Sequence, residues 1–503
     1  MAFLKNVIAR YQELRLDILA FNFVSYLINW DSDTEAKAGS LEDRSIFVGR
    51  LNEMELRITR SKEYIDIVNT LFDNRDNLDE LLRIEITNVH KEMEKNLKIP
   101  EQEMINHSML MAKSPSIWAT AKLNNDYNAF KDTLKELMNF NKRFIKYLET
   151  DELKGYDILL DNFEEGMTKE KYDQFFDLLK KEIVPLVKKI NEKNKNYQTP
   201  KFATLDYPIE KQKEFAAYLM DVMCFDQNYG LMKESEHPFT SGFGTHDVRV
   251  TNHYYVDNFV SSIFSAIHEL GHATYERAND EKLNFTFLQG GTTMAMHESQ
   301  SRFYENIVGR SYPFWQRHYP KLQEVFKEQL IDVTLDEFYR FINHVTPSLI
   351  RTEADELTYS LHIMVRYEME KIMVETDTPV EEYPKIWNKL YYDYLGVEVP
   401  NDREGILQDI HWAFGECGYF PTYALGSAYG AQLLNQMKKD LDINQAFGSD
   451  NLSMVNEWLK KHIHQYGKMK KPNELLIDAT GESFNPEYFV KYLKEKYSKI
   501  YKL

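Results

Sequence analysis

Apolar residues recur every three or four positions along much of the chain, with charged residues between them. The pattern is clearest in residues 43–72 and 127–149, and it is typical of amphipathic helices that pack on one another. Up to residue 229 the sequence contains only four glycines, so few residues interrupt helices in this part. We therefore predict that residues 1–229 form a mainly helical array.

The pattern changes from about residue 230, where glycines cluster and histidines become frequent. Glycine-rich loops allow the backbone to approach a ligand closely. The β-branched and aromatic residues of HDVRVTNHYYV, residues 246–256, alternate partly with a period of two and predict a strand. Because no repeat, low-complexity segment or flexible linker divides the chain, we predict one unit over residues 1–503, in which residues 230–503 carry the functional motifs.

The longest apolar stretch runs from Ile18 to Trp30. It is too short to span a bilayer and is interrupted by Asn and Ser, so we expect it to form part of the core. The N-terminal residues lack the basic end, apolar centre and small-residue cleavage site of a signal peptide. Cys224 and Cys417 are the only cysteines, too few for a disulfide framework. These features predict a cytoplasmic protein that does not bind membranes.

The composition makes nucleic acid an unexpected partner. The formal net charge is −18, and 28% of the residues are charged. The most basic segment, KKHIHQYGKMKK at residues 460–471, is short and fits a solvated surface. An acidic chain without a dense block of Lys and Arg does not attract a phosphate backbone.

The candidate chemistry begins with HELGH, residues 268–272, which lies inside a helical pattern. On a helix, His268 and His272 are offset by only about 40° and by about 6 Å along the axis, so both imidazoles can reach one ion. Glu269 then lies about 100° around the helix, where a general base for metal-bound water is needed. Short motifs also occur by chance, so a metal site requires a third ligand.

Glu298 is the favoured third ligand. Catalytic zinc normally has three protein ligands and one open position. Glu298 follows His272 by enough residues for a loop to reverse the chain and for a second helix to run back. Thr292 or Thr293 is expected to cap that second helix.

Three neighbouring residues have alternative interpretations. Glu305 lies on the same predicted helix as Glu298 and is the rival ligand. Glu276, one turn after His272, is expected either to support a metal ligand or to face solvent. His297 adjoins Glu298 but points elsewhere on the helix, so we expect a structural or hydrogen-bonding role for it.

Six segments occur in an order that is far more diagnostic than HELGH alone. They are HPF (237–239), DVRVT (247–251), HELGH (268–272), HESQSRFYENIVGRS (297–311), IRTEADELTY (350–359) and GILQDIHWAFGECGYFPTY (405–423). In this combination the chain resembles the carboxypeptidase Taq family of thermostable metallocarboxypeptidases, nearly from end to end. Residues 36–40, AKAGS, depart from the family pattern, but they are remote from the motifs that carry the chemistry.

The resemblance implies a mostly α, neurolysin-like helical saddle with a deep substrate groove and a small β-sheet near the active site, often as a homodimer. It implies that His268, His272 and Glu298 bind the metal and that Glu269 is the general base and acid. The implied activity is the removal of C-terminal amino acids from peptides by metal-activated water, with broad specificity and poor cleavage at proline.

An enzyme of this kind must bind a free C-terminal carboxylate, which a guanidinium does best through two parallel hydrogen bonds. Arg351 is favoured for this role, and Arg249 for a supporting role in the groove. The alternative for either arginine is an internal salt bridge with a nearby carboxylate. His237, in HPF, is expected to line the groove or to belong to a turn with Pro238.

The tetrahedral intermediate carries an oxyanion that needs a hydrogen-bond donor besides the metal. Tyr423, at the end of a glycine-flanked loop, is the first candidate for this donor, and it is alternatively a ligand of the terminal carboxylate. His411 is the second candidate.

The combined features predict a metallocarboxypeptidase with one divalent ion per subunit. Zinc is favoured and cobalt is the alternative, because both accept nitrogen and oxygen ligands. The expected partners are peptides with a free C-terminus and a second copy of the chain. A metallo-oligoendopeptidase that cuts short peptides internally is the first alternative function, and a non-catalytic helical binding protein is the second.

Overall fold

Helices make up most of the chain, which the computed structural model describes over residues 2–503. The mostly α fold class is therefore confirmed. The helices of the first part are α1 (Ala2–Thr34), α2 (Leu41–Thr59), α3 (Lys62–Asp73), α4 (Glu80–Leu97), α5 (Glu101–Asn124), α6 (Asn128–Leu148), α7 (Tyr156–Asp161), α8 (Lys169–Lys193) and α9 (Ile209–Val222).

Both segments that the apolar pattern predicted to be helical are helical in the structure. Residues 127–149 form α6, whereas residues 43–72 are divided between α2 and α3. The division occurs at Ser61, whose side chain accepts a hydrogen bond from the backbone N–H of Tyr64 and so caps the start of α3.

A small sheet follows the helical array. Its strands are β1 (Gly230–Glu234), β2 (Thr240–Gly242) and β3 (Val248–Asn252). β3 is central, parallel to β1 and antiparallel to β2. The predicted strand at residues 246–256 is β3, which is shorter than expected; β1 and β2 were not predicted, because neither has the alternating β-branched pattern.

The second part is again helical. A π-helical segment, Phe303–Val308, directly continues α11. The helices are α10 (Phe259–Arg277), α11 (Met294–Arg302), α12 (Tyr312–Val325), α13 (Lys327–Leu330), α14 (Leu335–Ile342), α15 (Glu356–Glu375), α16 (Tyr383–Leu395), α17 (Phe420–Asp440), α18 (Ile443–Phe447), α19 (Ser453–His462), α20 (Pro472–Thr480) and α21 (Glu487–Tyr501).

The core is built from both parts of the chain. One large cluster of buried side chains extends from Ile99 to Tyr497 and includes residues of α6, α8, α10, α11, α15 and α17. A second, smaller cluster joins α1, α3 and α4. Buried Glu85 links the small cluster to the main body, since it pairs with Arg15 at 2.7 Å and accepts a hydrogen bond from the backbone N–H of Phe287 at 3.0 Å.

The expectation that residues 18–30 belong to the core is only partly correct. Ile18 and Trp30 are buried, but Phe23, Val24 and Tyr26 are 43%, 42% and 52% exposed. Phe23 and Tyr26 are exposed because they line an open cavity instead of packing on another helix; Val24 does not line this cavity. Within residues 2–503, no helix combines the length and the apolar character that crossing a membrane requires.

Candidate active site

The contact between α10 and α11 creates the site. Gly271, between the two histidines of HELGH, lies against α11: a Cβ atom there would lie 2.9 Å from Cα of Ser301 and 3.2 Å from the carbonyl oxygen of Gln300. Only glycine allows this approach of two backbones. Thr293 caps α11, since its side chain accepts a hydrogen bond from the backbone N–H of Met296.

His268, His272 and Glu298 converge at this contact. One carboxylate oxygen of Glu298, Oε2, lies 3.8 Å from Nε2 of His268 and 3.7 Å from Nε2 of His272. The three ligand atoms all lie within 4.8 Å of one another. Glu298 is buried and the two histidines are half-buried, so the three side chains face each other in a largely enclosed space.

The other ring nitrogen of each histidine already has a partner. Nδ1 of His268 lies 2.9 Å from Oε2 of Glu305. Nδ1 of His272 contacts Nδ1 of His297, whose Nε2 lies 2.7 Å from Oε1 of Glu276. If both Nδ1 atoms carry the proton, both Nε2 lone pairs point towards Glu298, which is the arrangement that metal-binding histidines adopt.

Charges around Glu298 hold its carboxylate in one orientation. Nε of Arg302 donates a hydrogen bond of 2.7 Å to Oε1 of Glu298, and Nη1 of Arg302 lies 3.2 Å from Oε2 of Glu305. Glu298, Arg302 and Glu305 are spaced so that all three lie on one side of α11 and its π-helical continuation. Oε2 of Glu298 therefore remains directed at the histidines.

The donor set fits a divalent metal ion. Two ligands that each lie about 2.1 Å from a tetrahedral zinc ion are about 3.4 Å apart. The distances of 3.7 and 3.8 Å from the Glu298 oxygen to the two imidazoles are within a few tenths of an ångström of this value. Burial and the neighbouring His297 lower the pKa of His272 well below its ordinary value, which favours the neutral imidazole that a metal requires.

Glu269 lies beside the three residues and not among them. Its carboxylate accepts a hydrogen bond of 2.7 Å from the hydroxyl of Thr240 on β2, and the same hydroxyl oxygen lies 2.9 Å from the Glu269 backbone carbonyl. The side chain is buried, and this burial raises the pKa of the Glu269 carboxyl. A raised pKa makes this carboxylate a stronger base than an exposed one, which suits a group that accepts a proton and gives it back.

Comparison with known proteins identifies the chain at this point. The sequence model described as carboxypeptidase Taq (M32) metallopeptidase matches residues 10–497. The chain belongs to this family. It is 43% identical to carboxypeptidase 1 of Bacillus subtilis over 95% of each chain, and 36% identical to thermostable carboxypeptidase 1 of Thermus thermophilus over 80% of each chain.

Solved structures agree with this assignment. The M32 carboxypeptidase of Deinococcus radiodurans superposes with a TM-score of 0.95 at 30% identity, covering 99% of this chain and all of the other. The predicted family is therefore confirmed, and the chain is a metallocarboxypeptidase of the M32 type.

Arg351 lies in a buried cluster of charges elsewhere in this carboxypeptidase. Its Nε and Nη2 donate to Oδ1 of Asp409 at 3.0 and 2.9 Å, and Nη1 donates to the hydroxyl of Tyr359 at 3.1 Å. Arg366 donates to the other oxygen of Asp409. Burial opposes ionisation of Asp409, yet the two guanidinium groups hold its pKa well below the usual range.

Tyr423 and His411 lie next to this cluster. The guanidinium of Arg351 is 5.0 Å from the ring centre of Tyr423, and the Tyr423 hydroxyl is 3.1 Å from Nε2 of His411. Burial lowers the pKa of His411 to about 4 and raises that of Tyr423. Both side chains are therefore neutral at neutral pH. Arg302 connects the cluster to the metal site, since it binds Glu298 and lies 4.1 Å from the ring centre of Tyr359.

Arg249 and His237 lie at the sheet. Arg249, on β3, donates two hydrogen bonds to Asp247, so the salt bridge weighed as an alternative is present there. Its guanidinium also lies over the rings of Trp30 and Phe243. His237 is exposed in the connection between β1 and β2.

Several site residues were not found by sequence reasoning. Thr240, Arg302, Tyr359 and Asp409 were not singled out, although all but Thr240 lie within the matched segments. The spacing of Arg302, four residues after Glu298, was an available signal, because residues four apart are neighbours on a helix. No local pattern marks Thr240, which is placed by sheet pairing.

Proposed function

We propose that the chain removes the C-terminal residue of peptides with one divalent cation, preferably zinc, bound by His268, His272 and Glu298. The observation that carries this proposal is the convergence of these three side chains beside the buried carboxylate of Glu269. When bound, the cation supplies a water molecule of lowered pKa and polarises the peptide carbonyl.

Glu269 handles the protons in this proposal. Its carboxylate accepts a proton from the attacking water and then donates it to the leaving amine. The hydroxyl of Thr240 keeps the carboxylate in place, because it donates to Oε2 of Glu269. Burial of Glu269 keeps bulk water from competing for the same proton.

The charge balance around Arg351 supports its role as the carboxylate ligand. Arg351 and Arg366 carry two positive charges and Asp409 carries one negative charge, so the cluster has one positive charge left over. A buried excess charge of this sign favours an anionic group of the substrate. In contrast, Arg249 is balanced by its own partner, Asp247, which fits a supporting role in the groove.

Tyr423 is the proposed donor to the substrate near this cluster, and His411 is the alternative, because the 3.1 Å hydrogen bond between the two neutral side chains leaves only one of them free to donate. The pKa of Tyr423 is raised by burial, so its hydroxyl keeps the proton that it would donate to an oxyanion or a carboxylate. Nδ1 of His411 is buried and has no hydrogen-bond partner among residues 2–503. Buried polar atoms are normally paired, so this atom is suited to bind substrate.

Three further properties are proposed from the family and from the sequence. They are a homodimeric assembly, broad specificity with poor cleavage at proline, and a cytoplasmic location. The two cysteines, Cys224 and Cys417, are free thiols, which is compatible with a reducing compartment.

The test compares two peptides that differ only at the C-terminus. An acetylated peptide with a free carboxylate and its C-terminal amide are each incubated with the zinc-loaded protein, and the products are identified by mass spectrometry. We expect stepwise loss of C-terminal residues from the free acid, and a rate at least about 100-fold lower for the amide, since a buried charge would lose its partner.

Internal fragments formed at equal rates from both peptides would instead favour the metallo-oligoendopeptidase. Absence of cleavage of either peptide by protein with one bound metal ion per chain would contradict the proposal.

A further inference from the structure

A cavity of about 740 Å³ lies between α1 and the sheet. Most of its walls come from α1, from β2 with the turn that follows it, and from the loop that precedes α11; Glu276, His297 and Lys468 complete them. Aromatic side chains dominate these walls, namely Phe23 and Tyr26 on α1, Phe243 in the turn, and Phe285 and Phe287 in the loop. Ligand sites typically have volumes of roughly 300–1,000 Å³, so the cavity is large enough for amino-acid side chains.

The cavity adjoins the catalytic residues: none of them lines it, but two of its lining residues contact them. Thr240, which lines it, donates its hydroxyl hydrogen to Oε2 of Glu269. His297, which also lines it, contacts the imidazole of His272, and Glu276 in the same wall binds His297. A molecule that fills the cavity therefore lies against residues that touch the proposed base and one proposed metal ligand.

The cavity and the Arg351 cluster approach the metal site through different residues. The connection to Arg351 runs through Glu298, Arg302 and Tyr359, and none of these residues lines the cavity. If the terminal carboxylate binds at Arg351, the peptide must continue past the metal site in another direction. The cavity is an open space in such a direction, next to the contacts of Glu269 and His272.

We propose that this cavity binds the part of the peptide that precedes the scissile bond, and that Phe23, Tyr26 and Phe243 make it select a large apolar or aromatic side chain there. The inference rests on the proposed function, because it assigns a specificity site to the same reaction. It also accounts for the exposure of Phe23 and Tyr26 on α1, which line the cavity.

The aromatic rings pack against one another as one cluster in the cavity wall. Phe23 and Tyr26 approach Phe243 edge-on or tilted, with ring centres 5.9 and 6.1 Å apart. Phe23 and Tyr26 remain 43% and 52% exposed. Rings that are held in place yet still exposed gain hydrophobic contact when an apolar side chain enters.

The polar groups of the cavity are compatible with a peptide backbone. Asn284 and Gln289 line it with amide groups, and Glu276 and Lys468 add one charge of each sign. Amide side chains can both donate and accept hydrogen bonds. An apolar pocket with a few groups of this kind is suited to an extended peptide carrying an apolar side chain.

The test uses acetylated peptides with three alanines before a C-terminal leucine, and a series in which phenylalanine replaces each alanine in turn. We expect phenylalanine to raise kcat/KM by roughly 10- to 100-fold in at least one position. This factor corresponds to the free energy of burying one aromatic side chain. The acetyl group is small, so the blocking group does not compete for the aromatic walls.

Variants then locate this preference. Tyr26→Ala and Phe23→Ala remove rings from α1, and Phe243→Ala removes the ring that both of them contact. Each should reduce the ratio of kcat/KM between the preferred phenylalanine peptide and the alanine peptide to less than about a third of the wild-type ratio. The matched control is Tyr392→Ala on α16, whose tyrosine is 59% exposed and outside the cavity; this variant should keep the wild-type ratio.

The outcomes separate the two proposals. Cleavage of all peptides with equal kcat/KM, or a preference that Tyr392→Ala reduces as much as Tyr26→Ala, overturns the cavity assignment and leaves the carboxypeptidase intact. Failure to cleave any of the free-acid peptides overturns both. If Phe243→Ala does not fold, the two α1 variants still decide the question, because their side chains are about half exposed.

Discussion

His268 and Glu269 are adjacent in sequence, but their contacts give them separable roles. Nε2 of His268 faces Glu298, whereas the Glu269 carboxylate is held by Thr240 beside that pair. Substitution of a metal ligand should release the metal, whereas substitution of the general base should leave the metal bound. The two roles can therefore be distinguished by measuring metal content and turnover on the same samples.

We expect Glu269→Gln to keep one metal ion per chain and to lower kcat by at least about 100-fold, since the amide cannot accept the proton. His268→Ala should lose both metal and activity. The measurements are elemental analysis of the purified variants and hydrolysis of an acetylated peptide.

The control is Glu328→Gln, which neutralises an exposed carboxylate on α13 and should match the wild type in both measurements. Near-wild-type turnover in Glu269→Gln would remove Glu269 from the proposed mechanism.

Among the individual site residues, the sequence predicts those that share a local pattern. The two histidines are four residues apart on one helix, and Glu298 was predicted because it lies on the next helical segment of the chain. Asp409 and Thr240 were not predicted, because their contacts with Arg351 and Glu269 join residues 58 and 29 positions apart. Such pairs depend on how whole elements pack.

At the level of elements, α11 packs closely against both α10 and α17 because each of these two helices presents a glycine to it. Gly271 allows the approach of α10. Gly426 does the same for α17, since a Cβ atom there would lie 2.9 Å from both Cβ and Cγ of Glu298. The position of the third proposed ligand therefore depends on a glycine 128 residues later in the chain.

We predict that Gly426→Ala shifts Glu298 and weakens metal binding about 10- to 100-fold, as changes next to metal ligands do, and destabilises the fold by about 1–3 kcal/mol through overpacking. The matched control is Gly430→Ala, one turn later on α17, where the nearest atom to a new Cβ is 3.4 Å away. The metal dissociation constant is measured by competition with a chelator. Equal affinity in the two variants would show that the Gly426 contact does not position Glu298.

The buried carboxyl of Glu164, which contacts the first turn of α11, predicts that the stability of the fold depends on pH. Glu164 accepts hydrogen bonds from the backbone N–H of Ala295 at 3.2 Å and from the hydroxyl of Tyr429, on α17, at 3.0 Å. Burial raises the pKa of Glu164 to about 8, from an ordinary value of 4.5. The folded state therefore binds more protons than the unfolded state between these values, and its stability falls as pH rises from about 4.5 to about 8.

The variant Glu164→Gln cannot lose a proton in this range. We expect the free energy of unfolding to fall less steeply from pH 5.5 to pH 8 than in the wild type, the full effect being at most roughly 5 kcal/mol. Denaturant unfolding at several pH values measures it. Glu152→Gln, at an exposed position, is the control and should keep the wild-type slope; the same slope in Glu164→Gln would contradict the prediction.

The regular amphipathic pattern of residues 127–149 predicted α6 close to its observed bounds, and residues 268–272 lie within a helix, α10, as expected. Two features of the elements were not predictable from pattern. β1 and β2 are short and are stabilised by pairing with β3. The π-helical segment that carries Glu305 begins directly after Arg302, and segments of this kind occur frequently at functional sites without a distinctive composition.

At the scale of the whole molecule, the small core of α1, α3 and α4 lies against the main body, and the aromatic cavity lies between α1 and the sheet. The sequence indicated the fold class and the family, because long helical patterns and six ordered segments are visible in it. The cavity was not predicted, since it depends on the meeting of residues 19–26, 240–246 and 284–291. Residues 18–30 were expected in the core because apolar pattern alone does not distinguish a buried face from a cavity wall.

The most direct measurement of the central claim is a crystal structure of the zinc-loaded protein with anomalous diffraction data collected on both sides of the zinc absorption edge. We predict one strong anomalous peak per chain, about 2.0–2.2 Å from Nε2 of His268, Nε2 of His272 and a carboxylate oxygen of Glu298, with one coordination position open to solvent. A zinc peak elsewhere in the chain, or a peak at this site whose coordination excludes Glu298, would contradict the account.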